Sequence, residues 1–351
     1  MQGEVLWKTG GHGMAEKAIF PDLIGNDRLK ALFSDALRRE RGAHAYVLEG
    51  PPGSGRRTAA RMIAAASLCE HRNDPASEHP LPLPCGRCLS CRKILSGKSV
   101  DVLTVSRGER ATLGVEPIRA VRDSLYVTPN DGERKFYLIE DAHLMTAQAQ
   151  NALLLSLEEP PSYVMFLLLC EDASLLLETV RSRAPVLTME RFSPSFTEQW
   201  LRERTKNPDP ARIVRASHLA GGSLGLAKKL YEGGDAALSR YDAAEEMAKL
   251  LLFGRRSDAS VFIGTLPKDR AALRQVLVLC KSAVRDVIAD RRGADLLFFS
   301  PEEGVPAQAK KVSVRRAVEI CRLLVRAEDD IAANVSTTTV LMSLAADCAR
   351  V

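Results

Sequence analysis

The stretch Val47–Thr58 constrains this chain more than any other. It reads as the end of a strand, a glycine-rich turn and the start of a helix. Gly50, Gly53 and Gly55 fall within six residues, which lets backbone N–H groups converge on an anion at a helix N-terminus. This is the frame of a phosphate-binding loop, G-x-x-x-x-G-K-[ST], whose Lys reaches the β- and γ-phosphates and whose hydroxyl binds Mg²⁺. Counted from Gly50, the Lys position holds Arg56 and the hydroxyl position holds Arg57, with Thr58 next. The cradle is kept and both chemical side chains are replaced.

Around this loop, strand and helix patterns alternate from residue 43 to residue 190, which predicts a parallel sheet flanked by helices. Strands are expected at Ala43–Leu48, Ser99–Ser106, Lys135–Ile139, Val164–Cys170 and Val186–Met189. Helices are expected at Asp27–Arg41, Thr58–Cys69, Ile118–Leu125, Met145–Leu157 and Ala173–Val180. Glu140 and Asp141 follow the third strand, where phosphate-loop proteins hold Mg²⁺. They read equally as caps of the next helix, since acids suit a helix N-terminus. Arg119 and Arg122 share one helix face, which meets either phosphates or solvent.

After Phe192 the strand signal stops. Helices are expected at Thr197–Lys206, Ala211–Leu219 and Leu226–Tyr231, with Gly221–Gly225 as a turn. Beyond Gly233 the chain reads as almost wholly helical. Leu273, Val276, Leu277, Cys280, Val284 and Val287 form an apolar stripe at helical spacing, as do Ala317, Ile320, Cys321, Leu324 and Ala327.

Of eight cysteines, four are clustered: Cys69 and then Cys85, Cys88 and Cys91, after a gap of 15 residues. Overlapping C-x-x-C pairs offer thiolates at the spacing that tetrahedral Zn²⁺ takes, and four ligands make a closed, structural site. The segment between them is too polar to pack by itself, so the metal would be its core. A redox pair or four free thiols are the other readings, and His71 and His79 are substitute ligands or surface residues. Cys170, Cys280, Cys321 and Cys348 stand singly in apolar or helical surroundings and read as small buried hydrophobes.

The 351 residues suggest two or three domains. With 49 Lys and Arg against 44 Asp and Glu, the net charge of +5 permits contact with nucleic acid without requiring it. No stretch approaches the roughly 20 apolar residues that span a bilayer, and no apolar leader opens the chain. Scattered cysteines fit a reducing, cytoplasmic compartment. Residues 1–13, polar and glycine-rich ahead of a second Met, are expected to be a disordered extension.

Several motifs occur together and in order: Phe20-Pro21-Asp22-Leu23-Ile24-Gly25, His44–Leu48, Gly50–Thr58, the four-cysteine cluster, Asn151–Pro161 and Ser182-Arg183. In this order they resemble the bacterial DNA polymerase III clamp-loader AAA+ subunits, of the delta-prime type or the gamma/tau type. The specific motifs cover about residues 14–235. The resemblance implies an α/β AAA+ P-loop core with a parallel sheet (14–190, carrying a zinc module at 69–91). It also implies a small helical lid (191–245) and a C-terminal all-helical collar domain (246–351). The gap between Cys69 and Cys85 is longer than in the family.

In the family's ATPase, gamma/tau, a Lys and a hydroxyl stand at Arg56 and Arg57, and an Asp-Glu pair stands at Glu140-Asp141. A polar sensor falls at Cys170-Glu171, and the Arg of a Gly-Ser-x-Arg motif falls at Gly225. Every position that would touch ATP in cis is altered. Arg183, the position that acts in trans as an arginine finger, is kept beside Ser182, while Ala184 replaces the Cys that follows it. The resemblance therefore implies a delta-prime-type subunit with no ATP/Mg hydrolysis of its own. Such a subunit works in a hetero-oligomer with gamma/tau and delta subunits that loads the sliding clamp on primed DNA. The alternative is a gamma/tau-like ATPase with an unusual loop, and for Arg183 an ordinary interface ion pair.

Overall fold

A computed structural model describes residue 20 and residues 23–39, 42–72, 83–108, 110–294, 296, 298–299 and 304–348. Residues 1–13, the Pro21-Asp22 pair and residues 73–82 of the 69–91 module, His79 among them, lie outside the described residues. The chain forms two compact units: Met1–Glu49 with Arg56–Met189, and Gly50–Gly55 with Glu190–Val351.

In chain order the first unit has α1 (Asp27–Arg39), β1 (Ala45–Glu49), α2 (Arg56–Ser67), α3 (Leu89–Leu95), β2 (Val102–Val105) and α4 (Val115–Ser124). It continues with β3 (Lys135–Ile139), α5 (Ala147–Glu158), β4 (Val164–Cys170), α6 (Glu178–Arg181) and β5 (Val186–Thr188). Short 3₁₀ turns at Ala142–Leu144 and Ala173–Leu175 precede α5 and α6. The sheet is wholly parallel, in the order β2-β3-β4-β1-β5, with Ala45 opposite Phe166 and Val47 opposite Val186.

All seven residues of β4 are buried because the sheet is covered on both faces. The two-residue period of a strand sends neighbours to different cores. Tyr46, Leu48, Phe136, Leu138, Leu167 and Leu169 pack with Leu29 and Phe33 of α1 and with Met62 and Ile63 of α2. Ala45, Val47, Tyr137, Ile139, Phe166 and Leu168 pack with Ile118 and Val121 of α4 and with Leu153 and Leu157 of α5. Burial of one such side chain contributes about 1.5–3 kcal/mol. Two buried charges fix the loops at the sheet's edge. Asp101 accepts N–H bonds from Asn130, Asp131 and Gly132 at 2.8, 2.7 and 3.1 Å. The Lys135 ammonium caps the end of α4 by donating to the carbonyls of Ser124 and Val127.

β3 and β4 have the expected bounds. Elsewhere the structure corrects the sequence reading. α2 spans Arg56–Ser67 rather than Thr58–Cys69, so Cys69 lies beyond its end. Glu140 and Asp141 do not cap α5; Thr146 does, accepting from the Ala149 N–H. The helix expected over Ala173–Val180 is interrupted, because Leu176 and Leu177 take extended ψ values between two short helical pieces.

The second unit holds α7 (Pro194–Arg204), α8 (Pro210–Leu219), α9 (Leu224–Glu232), α10 (Gly234–Phe253), α11 (Arg256–Thr265), α12 (Arg270–Asp290), α13 (Val314–Ala332) and α14 (Thr337–Cys348). Ser193, Asp209, Ser223, Asp269 and Ser313 cap α7, α8, α9, α12 and α13 through side-chain oxygens. One core runs from Leu201 of α7 to Cys348 of α14, and α10 crosses residues 245–246 without a break. The α12 stripe is buried as expected, whereas Cys321 of the α13 stripe is only half-buried. Asp286, fully buried on α12, accepts the Phe298 and Phe299 N–H groups at 2.7 and 3.0 Å. Among the described residues, no helix is long and apolar enough to cross a membrane.

Candidate functional site

The carboxyl ends of the parallel strands gather the charged residues of the first unit. This is where open α/β sheets place their ligands. Arg56 and Arg57 open α2, Glu140 and Asp141 follow β3, and Glu171 follows β4. The Arg57 guanidinium lies 2.5 Å from Glu140 Oε2, and Arg56 lies 3.6 Å from Glu171 Oε1. Arg107, which follows β2, pairs with Asp141 at 3.1 Å. The Glu171 N–H donates to His143 Nδ1 at 3.3 Å. Burial holds the His143 imidazole below its usual value, against the opposing pull of the Glu171 and Asp141 carboxylates. Each acid that a magnesium-nucleotide site would use is thus engaged by an arginine of the same unit. Thr58 is exposed on α2.

The loop residues Gly50–Gly55 group with the second unit. Gly53 sits at φ +79°, a conformation that favours glycine. Its carbonyl accepts the Gly225 N–H at 3.0 Å, and the Pro52 carbonyl accepts the Ser223 hydroxyl at 2.8 Å. Gly225 is therefore not in a turn, as expected from Gly221–Gly225, but in the first turn of α9, laid against the loop backbone.

Arg183 follows α6 and is about a third exposed. Its Nη2 donates to Glu158 Oε1 at 2.8 Å and its Nη1 to the Thr179 carbonyl at 3.0 Å. The Ser182 hydroxyl donates to the same carbonyl at 3.0 Å.

The Sγ atoms of Cys69, Cys85, Cys88 and Cys91 all lie within 4.8 Å of one another. Among the described residues they are the one group of His, Cys, Asp and Glu side chains able to hold a metal, and His71 is not part of it. Cys85 Sγ lies 3.9 Å from Cys91 Sγ. Tetrahedral ligands on a Zn–S distance of about 2.3 Å stand about 3.8 Å apart, so the donor set fits zinc. Cys88 is the N-cap of α3, Cys91 lies in its first turn, and their N–H groups donate to Cys85 and Cys88 Sγ at 3.4 Å. Hydrogen bonding from the Cys91 thiol draws Cys69 down to about 5, while Cys91 is pushed up in return. Glu70 braces the knuckle by accepting the Ser90 N–H and hydroxyl.

The family described as "DNA polymerase III, delta subunit" matches residues 25–193. Residues 25–193 thus carry a likeness to DNA polymerase III subunits. The tau subunit of Bacillus subtilis is 32% identical over 174 residues, 50% of this chain and 29% of its own length. The gamma subunit of Buchnera aphidicola (Acyrthosiphon pisum strain) is 31% identical over 217 residues, 61% and 58% of the two chains. The delta' subunit of Yersinia pestis is 33% identical over 198 residues, 55% and 56%. The chain thus spans between 29% and 58% of the length of these curated relatives.

Sequence reading of this chain missed the partners more than the positions. Arg107, His143, Glu158 and Ser223 touch residues of the stretches singled out in advance, at separations of up to 171 residues. Glu158 carried a local signal as part of Leu157-Glu158-Glu159-Pro160-Pro161, which reads first as a helix stop, and Ser223 lay in the Gly221–Gly225 turn.

Proposed function

We propose that this chain is a clamp-loader subunit of the delta-prime kind. It hydrolyses no ATP itself and lends Arg183 to the nucleotide of a neighbouring subunit. The reading rests chiefly on the Arg57–Glu140 contact at 2.5 Å. A magnesium site at the end of β3 needs a hydroxyl and a free carboxylate. Here an arginine stands in place of the hydroxyl and pairs with the carboxylate, its own side chain 61% exposed and that of Glu140 13%. Arg56, whose side chain is 13% exposed, turns to Glu171 in the same manner. Arg is a planar fork rather than a point charge, and it does not replace the loop Lys geometrically.

In this reading the partners are gamma/tau-type and delta-type subunits, the sliding clamp and primed DNA, in a hetero-oligomer of the DNA polymerase III holoenzyme. The core, lid and collar correspond to residues 14–190, 191–245 and 246–351 of the sequence. The four thiolates hold a structural Zn²⁺, which organises α3 and leaves no open position for chemistry.

The test has two arms. The purified chain is expected to show background ATP turnover with Mg²⁺. In the assembled complex, Arg183→Ala is expected to lower turnover at the site it serves by about 10³-fold or more, with subunit composition unchanged. The similarity to tau and gamma subunits keeps one other outcome specific. Magnesium-dependent turnover by the chain alone, abolished by Asp141→Ala, would make it a gamma/tau-like ATPase instead.

A further inference from the structure

We infer that Glu158 is a positioning residue for Arg183, holding the finger in reserve until a neighbour's nucleotide displaces it. The inference rests on the reading of Arg183 given above. Glu158 is the last residue of α5, and Pro160-Pro161 follow the C-cap Glu159, so the helix stops there. An acid there faces the negative end of the helix dipole, and no basic residue lies in the last turn to offset it. The cation that offsets it comes from outside the helix. Arg183 Nη2 reaches Glu158 Oε1 at 2.8 Å, while Nη1 is tethered to the Thr179 carbonyl at 3.0 Å.

These two contacts define a resting state. The tether to Thr179 is to a neutral carbonyl and leaves the guanidinium charge intact. The contact to Glu158 neutralises that charge. It also places a carboxylate where an incoming phosphate would be repelled. A half-exposed pair of this kind is weak, whereas a bidentate Arg–phosphate contact is among the stronger charge-assisted ones. Exchange of one partner for the other therefore runs toward the phosphate. While it lasts, the Glu158 contact lowers the fraction of fingers free to engage.

The experiment measures ATP turnover by the assembled complex purified with wild-type chain, Glu158→Gln, Arg183→Ala and the double variant. Glu158→Gln keeps shape and removes charge. It is expected to raise kcat about two- to fivefold, the bias that such an ion pair imposes on a two-state side chain, with KM for ATP unchanged. The gain should shrink toward unity as salt is raised, because screening frees the wild-type finger as well. It should vanish in the Arg183→Ala background. Glu158→Ala repeats the comparison with the side chain removed. If Glu158→Gln has wild-type or lower kcat while Arg183→Ala is impaired, Glu158 does not restrain the finger and this inference falls alone. If Arg183→Ala turns over like wild type, the finger role falls and this inference with it.

Discussion

The Gly225 N–H donates to the Gly53 carbonyl at 3.0 Å, and there is no room for a side chain between the two glycines. A Cβ on Gly225 would stand 2.6 Å from Gly53 O and 3.1 Å from Gly53 Cα. A Cβ on Gly53 would meet the Leu226 nitrogen at 2.4 Å. Backbone atoms on both sides cannot swing aside as a flexible side chain would. A side chain at position 225 would therefore press on the loop backbone.

Gly225→Ala is expected to cost about 1–3 kcal/mol, the usual range for overpacking, read as a lower urea midpoint. Gly225→Arg should cost at least as much and should not confer nucleotide binding in a fluorescent-nucleotide titration. Wild-type stability in Gly225→Ala would show that the loop and α9 are free to separate.

Asp101 is 1% exposed and its carboxylate takes three backbone N–H groups. Asp101→Ala leaves those donors without a partner, and the expected loss is about 3 kcal/mol in a denaturant melt. Asp101→Asn keeps an acceptor oxygen and should fall between that variant and wild type.

Metal analysis of the purified chain should find about one zinc per molecule, as in closed four-thiolate sites. Cys88→Ser should lose it and melt earlier, because the thiol that caps α3 also closes the site. Chelation of the wild-type chain should reproduce the lower midpoint, and added Zn²⁺ should reverse it. Full zinc occupancy in Cys88→Ser would remove these thiolates from the metal's ligands.

His143 gives the chain a pH dependence of known sign. Burial holds its folded value below the ordinary one. Between about 6.5 and that lower value, the unfolded chain binds the extra proton and the folded chain does not. Stability contributed by neutral His143 is therefore lost as pH falls below about 6.5, and the loss ends once the folded imidazole itself protonates. Thermal melts from about pH 7.5 to about pH 5.5 should show a larger fall for wild type than for His143→Gln. Equal falls in the two proteins would place the titration elsewhere.

How much could be read in advance depended on distance along the chain. Lys135–Ile139 and Val164–Cys170 were legible to the residue, because an apolar run closed by charged or turn-forming neighbours has one outcome in a doubly covered sheet. α3 was not. It is a seven-residue helix whose cap is a cysteine, and cysteine spacing reads as ligand geometry before it reads as a helix start. Ala173–Val180 has continuous helical composition, yet the chain turns at Leu176 and Leu177 to bury Leu176 and Val180 in the core below.

The sequence by itself determined which side chains are present: a glycine loop without its lysine and hydroxyl, four spaced thiols, and an arginine after α6. These are composition and local spacing, and they need no fold to be seen. Only the tertiary structure decided what those groups do with one another. Arg57 meets Glu140 across 83 residues because the start of α2 lies beside the end of β3, and Gly225 meets Gly53 through a backbone contact within the second unit. Charge pairing and backbone contact act over a few ångströms, and the distances that matter to them are set by packing rather than by position in the chain.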